Sequence, residues 1–177
     1  SVRQAFVMTT LSWRAIAVFG ALPFAFSELS LSYTDALFEA MSGVTTTGAT
    51  VITGLDDAPP GILLWRALLQ WLGGLGIIVM AIAVLPMLRV GGMQMFRVEA
   101  FETGEKVMPR AAQISAALTI IYIVLTGMWA LALSVAGMNA LDAVAHAMTA
   151  LATGGFSTHD ASIGYYDSPL IDGILTA

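Results

Sequence analysis

The sequence has no cysteine and little charge. With no Cys among 177 residues, disulfides, thiolate metal sites and cysteine nucleophiles are excluded, though compartment is left open. Only 11% of the residues are charged, against about a quarter in an average soluble domain. Hydrophobic residues make up 58% of the chain and the mean hydropathy is +0.83. So few polar groups do not cover a water-soluble globule, and the apolar residues fall in long uncharged runs, so the bilayer is the expected solvent. Basic residues are scarce too. A net charge of -5, with no Lys/Arg cluster among stacking aromatics, argues against nucleic-acid binding. No basic leader with an apolar core and cleavage site opens the chain, and both ends read as cuts through a longer protein.

What is present is first a set of apolar runs long enough to span, which takes about 20 residues. Met8 to Phe26, Ile62 to Leu88 and Ile114 to Met138 qualify, and Leu170 to Ala177 reads as the opening of a fourth. Between them, Tyr33 to Val44 and Leu141 to Leu151 are too short to span and suit re-entrant helices. Each runs straight into a Thr/Gly-rich segment that does not continue a helix well. Irregular backbone at membrane depth is tolerated only where protein buries it or where it lines a water-filled cavity.

Arg89, Arg97, Lys106 and Arg110 are four of the seven basic residues. The positive-inside rule therefore puts 89–110 in the cytoplasm. The connections with Asp56, Asp57, His159, Asp160 and Asp167 hold no Lys or Arg and fall outside, so both short helices enter from the outer face. Trp65 and Trp71 suit an interfacial or packing role.

The two short segments superimpose at an offset of 107, with six identities in seventeen positions between 35–51 and 142–158. Asp35 meets Asp142, Thr46 meets Thr153 and Gly48 meets Gly155, with the flanking spans in register. The expected organisation is a first span–pore loop–span unit over 1–88, a cytoplasmic link over 89–110, and a second unit over 111–177 truncated in its last span. The fold class is an all-α polytopic membrane protein, and such repeats imply a site where they meet.

A dehydrated monovalent cation needs fixed oxygens in place of its water, and backbone carbonyls supply them without holding the ion too tightly. Pointing successive carbonyls one way takes unusual backbone angles, which glycine allows. Thr46-Thr47-Gly48-Ala49 and Thr153-Gly154-Gly155-Phe156 have this composition, with Thr50 and Ser157 following. Each comes after a short helix whose negative dipole end favours a cation. A lone Thr-Gly after a helix is more often a plain helix stop, but two copies in register favour a selectivity filter for a monovalent cation at these residues.

At this point the sequence resembles a known family. Asp35 to Thr50 (DALFEAMSGVTTTGAT) and Asp142 to Asp160 (DAVAHAMTALATGGFSTHD) look like the first two pore loops of the Trk/Ktr/HKT superfamily of potassium transporters. Gln70-Trp71-Leu72-Gly73-Gly74-Leu75-Gly76 is similar to that family's motif in the following span. The resemblance implies four such units around one pore, with Gly48 and Gly155 as central filter glycines of two of them. It also implies potassium uptake across the cell inner membrane, a homodimer of the full-length subunit, and a cytosolic nucleotide-binding regulatory subunit (TrkA/KtrA-like). Ala49-Thr50 and Phe156-Ser157 depart from a channel's Tyr-Gly, so a looser filter is expected. With only half a pore, the piece is not expected to conduct alone.

Glu39 and His146 are equivalent on the short helices and are expected to hold the loops by hydrogen bonds. Asp35 and Asp142, at the helix starts, are expected to cap free N–H groups. Arg14 and Arg66 near span ends are expected to snorkel to the interface, and His159 and Asp160 to shape the outer mouth. Gly73, Gly74 and Gly76 lack the strand and Lys-Ser/Thr of a phosphate loop and suit close helix packing. No nucleophile–base pair or metal-ligand cluster suggests an enzyme or an organic cofactor. The rival is a secondary transporter of another cation or small solute with broken helices, which calls for coupling residues inside spans. The third span has no charge.

Overall fold

The structure, a computed structural model, describes residues 2–88 and 107–176. Among these it is helix and turn only, as an all-α membrane chain requires. Helix α1 (Val2–Gly20) is followed by α2 (Leu22–Ala25), α3 (Tyr33–Val44), α4 (Pro60–Leu88), α5 (Val107–Val135), α6 (Ala140–Leu151) and α7 (Pro169–Thr176). Phe6–Ala25, Pro60–Met80 and Gln113–Val135 are long and apolar enough to cross a membrane. Of the link expected over 89–110, residues 89–106, with Arg89, Arg97 and Lys106, lie outside the described residues.

The ends of the helices have local causes. The first span breaks at Ala21, and Pro23 sits in the first turn of α2, where its missing N–H leaves nothing unpaired. Trp65 Nε1 donates to the Gly20 carbonyl at this break, at 2.9 Å. Helix α5 stops three residues before the end of its apolar run. Gly137 takes φ 111°, and the amides of Gly137 and Met138 return to the Ser134 and Leu133 carbonyls, the paired bonds of a glycine-terminated helix.

Helix α4 packs against both short helices, and α5 against α6. In a bilayer, apolar contact between helices gains little over contact with lipid, so small residues and polar pairs carry the association. The buried interfaces fit this in part: Ala36, Ala40, Ala67, Ala143 and Ala147 are all buried, alongside larger side chains such as Phe24, Leu69 and Leu133. Outward, α1 and α5 expose Phe6, Leu11, Phe19, Ile120, Met128 and Leu131.

Candidate functional site

Both short helices end alike. The amides of Thr46 and Thr47 donate to the Gly43 and Ser42 carbonyls, and those of Thr153 and Gly154 donate to Ala150 and Thr149. The residue that turns left-handed to allow this is a threonine each time: Thr46 at φ 56° and Thr153 at φ 55°. That conformation is uncommon for a β-branched residue. The helix stop is therefore complete before Gly48 and Gly155. Gly48 (φ 78°) and Gly155 (φ 79°) lie two residues further on, where helix termination asks nothing of them. Their positive φ shapes the irregular segments that follow.

The two segments meet. A Cβ on Gly48 would collide with the Gly154 carbonyl oxygen, and one on Gly154 with the Gln70 side chain. They meet deep in the span. A Cβ on Gly73 would strike the Val44 carbonyl at the end of α3, and one on Gly74 would lie 2.8 Å from the Tyr122 hydroxyl and 3.0 Å from Ala152, just past α6. Gly73 is thirteen residues into α4, roughly 20 Å along its axis. The carbonyl ends of both short helices thus lie near mid-height of α4, and Gly73 and Gly74 let them approach. Gly76, by contrast, has only Trp13 near it, at 3.9 Å. Of the residues singled out in sequence, Ala49, Thr47, Thr153 and Gly155 are exposed, whereas Gly154 and Phe156 are buried.

Each segment is braced from its own short helix. Glu39, fully buried, accepts from the Thr50 hydroxyl at 2.9 Å and from the Val51 amide at 3.0 Å. His146 occupies the equivalent place, with Nε2 3.0 Å from the Ser157 hydroxyl and Nδ1 2.9 Å from the Asp142 carbonyl. Glu39 thus reaches loop backbone, while His146 reaches the loop through a side chain. Asp35 and Asp142 act one step away from the role expected of them. The N-cap acceptors are Ser32 and Asn139, whose side chains take the amides of Asp35 and Asp142. The carboxylates instead accept from those capping side chains, from Ser32 Oγ at 2.7 Å and Asn139 Nδ2 at 2.6 Å.

Arg66 corrects the expectation of snorkelling. It is 1% exposed because it has a partner: Nε donates to Glu39 Oε1 at 2.8 Å. Its other nitrogens donate to Thr50 Oγ1 at 3.1 Å and the Ser157 carbonyl at 2.8 Å, and the guanidinium lies 4.2 Å from the Phe156 ring centroid. Gln70, one turn further along, accepts from the Phe156 amide at 3.1 Å. Sequence reasoning missed both roles. The available signal was a pair of polar residues four apart inside an apolar span, where such residues mark function by default. Trp71 turns inward to Thr126 Oγ1 at 2.9 Å, so it packs.

Beyond the segments, a cluster that runs from the buried Asp142 to the exposed Asp56 joins the connections. His159 pairs Nδ1 with Asp56 and Nε2 with Asp142 at 3.0 Å, and stacks on Tyr165 with centroids 3.6 Å apart. Asp160 accepts the Gly54 and Leu55 amides at 3.1 and 3.0 Å. Burial disfavours the imidazolium, but the hydrogen bonds to Asp56 and Asp142 outweigh it, and the His159 pKa is raised. The hydrogen bond from His159 lowers that of Asp56. At Asp142, burial opposes ionisation, yet hydrogen bonds from Tyr166, Thr158 and His159 hold the carboxyl below its usual value. Among the described residues, no group of three or more His, Asp or Glu is arranged to hold a metal ion.

A family profile described as "TrkH: Cation transport protein" matches residues 1–177. The Trk system potassium uptake protein TrkH of Escherichia coli K12 is 52% identical over 176 residues, 98% of this chain and 36% of that protein. The Trk system potassium uptake protein TrkI of Halomonas elongata is 51% identical over 163 residues, 92% of this chain and 33% of that one. The crystal structure of the potassium transporter TrkH from Vibrio parahaemolyticus superimposes with a TM-score of 0.85 at 46% identity, covering 98% of this chain and 34% of that chain. The chain spans about a third of the length of these relatives.

Proposed function

The chain belongs to the TrkH family of cation transport proteins, and from that premise we propose that it supplies two strands of a potassium selectivity filter to a longer membrane protein that takes up potassium. In this reading residues 1–88 and 111–177 are two units of one pore, joined by a cytoplasmic link over 89–110, and the pore loops enter from the outer face of the cell inner membrane. Thr46, Thr47, Gly48 and Ala49 line the ion path in the first unit, and Thr153, Gly154, Gly155 and Phe156 in the second.

One observation carries the reading. Two segments at the carbonyl ends of two short helices share the same threonine stop and the same glycine φ two residues later, and they touch. Backbone carbonyls freed from helix bonding replace an ion's water there, and the two helix C-termini favour positive charge at that depth. Glu39, His146, Asp35 and Asp142 hold the helices and loops in place rather than touching the ion. The remaining filter strands, a second copy of the full-length subunit and a cytosolic nucleotide-binding regulatory partner complete the assembly.

The test is rubidium-tracer uptake by the full-length protein in a potassium-uptake-deficient host, with sodium as competitor. Gly48→Ser and Gly155→Ser are compared with wild type at matched membrane expression. Saturable uptake favouring potassium, with rate or discrimination degraded by each substitution, is the expected result. Uptake unchanged in both variants would mean that the ion path lies elsewhere.

A further inference from the structure

Arg66 and Gln70 project from neighbouring turns of α4, in the first unit, and both reach the second. Arg66 Nη1 donates to the Ser157 carbonyl at 2.8 Å, and Gln70 Oε1 accepts from the Phe156 amide at 3.1 Å. Two consecutive residues of the second loop are thus gripped by one helix of the first unit, one through its N–H and the other through its C=O. The grip is rigid because both side chains are buried, at 1% and 0% exposure. The same guanidinium is fixed to Glu39 and Thr50 of the first unit, so the two loops are tied through one planar group whose donors point in set directions. Gln70 also fills the space that a side chain on Gly154 would need.

We propose that Arg66 and Gln70 are specificity-determining positioning residues, a two-point clamp by which the first unit's span sets the backbone of the second filter loop. The inference rests on the filter reading above. Carbonyl ligands discriminate between ions by their number, spacing and stiffness. A strand pinned at Phe156 and Ser157 cannot close on a smaller ion, whereas a released strand can. The guanidinium charge 2.8 Å from the Ser157 carbonyl disfavours a second cation there, so the coordinating stretch of the second loop ends before it.

The experiment measures the rubidium-to-sodium discrimination ratio of the full-length protein for wild type, Gln70→Met and Arg66→Lys, with Gly155→Ser alongside. Gln70→Met keeps the volume and removes the acceptor. Arg66→Lys keeps the charge beside Glu39 but cannot reach Glu39, Thr50 and Ser157 at once. A ratio does not depend on the amount of protein, so any measurable uptake decides. Each variant is expected to lower the ratio by about fivefold, the equivalent of roughly one neutral hydrogen bond, through easier sodium competition and with maximal uptake per molecule largely kept. If protein yield falls while the ratio stays at the wild-type value, the residues serve folding only and the clamp is overturned. If Gly155→Ser shifts the ratio and neither clamp variant does, the clamp fails while the filter reading stands. Absence of saturable uptake in wild type overturns both.

Discussion

Gly48 and Gly155 share a backbone conformation but not surroundings. Alanine at Gly155 meets open space, so the cost is the left-handed angle alone, about 1–2 kcal/mol. At Gly48 the same angle is joined by a collision with the Gly154 carbonyl, so Gly48→Ala is expected to cost clearly more and to disturb both segments. Thr46→Gly runs the other way. The threonine is already left-handed, at φ 56°, and glycine there is neutral or stabilising by up to about 1 kcal/mol. Thermal unfolding of the three full-length variants in detergent checks the order, and equal losses for Gly48→Ala and Gly155→Ala would mean that the segments do not meet. The glycines were legible in sequence because only glycine takes such angles freely. That threonines make the helix stops was not, because threonine is a poor left-handed residue and nothing local advertises it.

Helix α4 is the element on which both short helices and both segments depend. Gly73→Ala is expected to push it off the Val44 carbonyl and to lower the yield of folded full-length protein on size-exclusion chromatography. Gly76→Ala, three residues on and with only Trp13 at 3.9 Å, is expected to behave as wild type. Equal yields would remove the case for close approach at mid-span. Between α3 and α4, Glu39→Ala leaves the Arg66 charge buried without its partner, which costs on the order of 3–5 kcal/mol; a melting temperature near wild type would show that water or another carboxylate reaches Arg66. The elements themselves were readable. The short helix at Tyr33–Val44 falls where its apolar run does, because Ser32 and Asp35 start it and the Thr/Gly run ends it. The partners of α4 were not, since Arg66 finds Ser157 and Gln70 finds Phe156 across 91 and 86 residues, and no local pattern encodes such a pairing.

In the whole molecule, the repeat readable at an offset of 107 reappears as matched hydrogen bonds, with Thr47 to Ser42 repeated by Gly154 to Thr149. Two joins between the repeats come in addition to these matched bonds. One is the grip of α4 on the second segment; the other is the cluster in which His159 lies between Asp56 of the first connection and Asp142 of α6. Both ring nitrogens face carboxylates, which calls for the imidazolium, and Tyr165 stacks on the ring while Tyr166 stands nearly perpendicular to it. A raised His159 pKa makes its contribution complete below the ordinary histidine value, about 6.5, and lost as pH rises through the raised one. The lowered carboxyls of Asp56 and Asp142 make theirs present above the ordinary carboxylate value, 3.8, and lost as pH falls through the lowered ones. The join is therefore strongest in mildly acidic solution. The difference in melting temperature between wild-type and His159→Gln full-length protein is expected to be largest near about pH 6 and to shrink towards alkaline pH. A difference that stays constant over that range would mean that the stacking of His159 on Tyr165, rather than its charge, holds the two connections together.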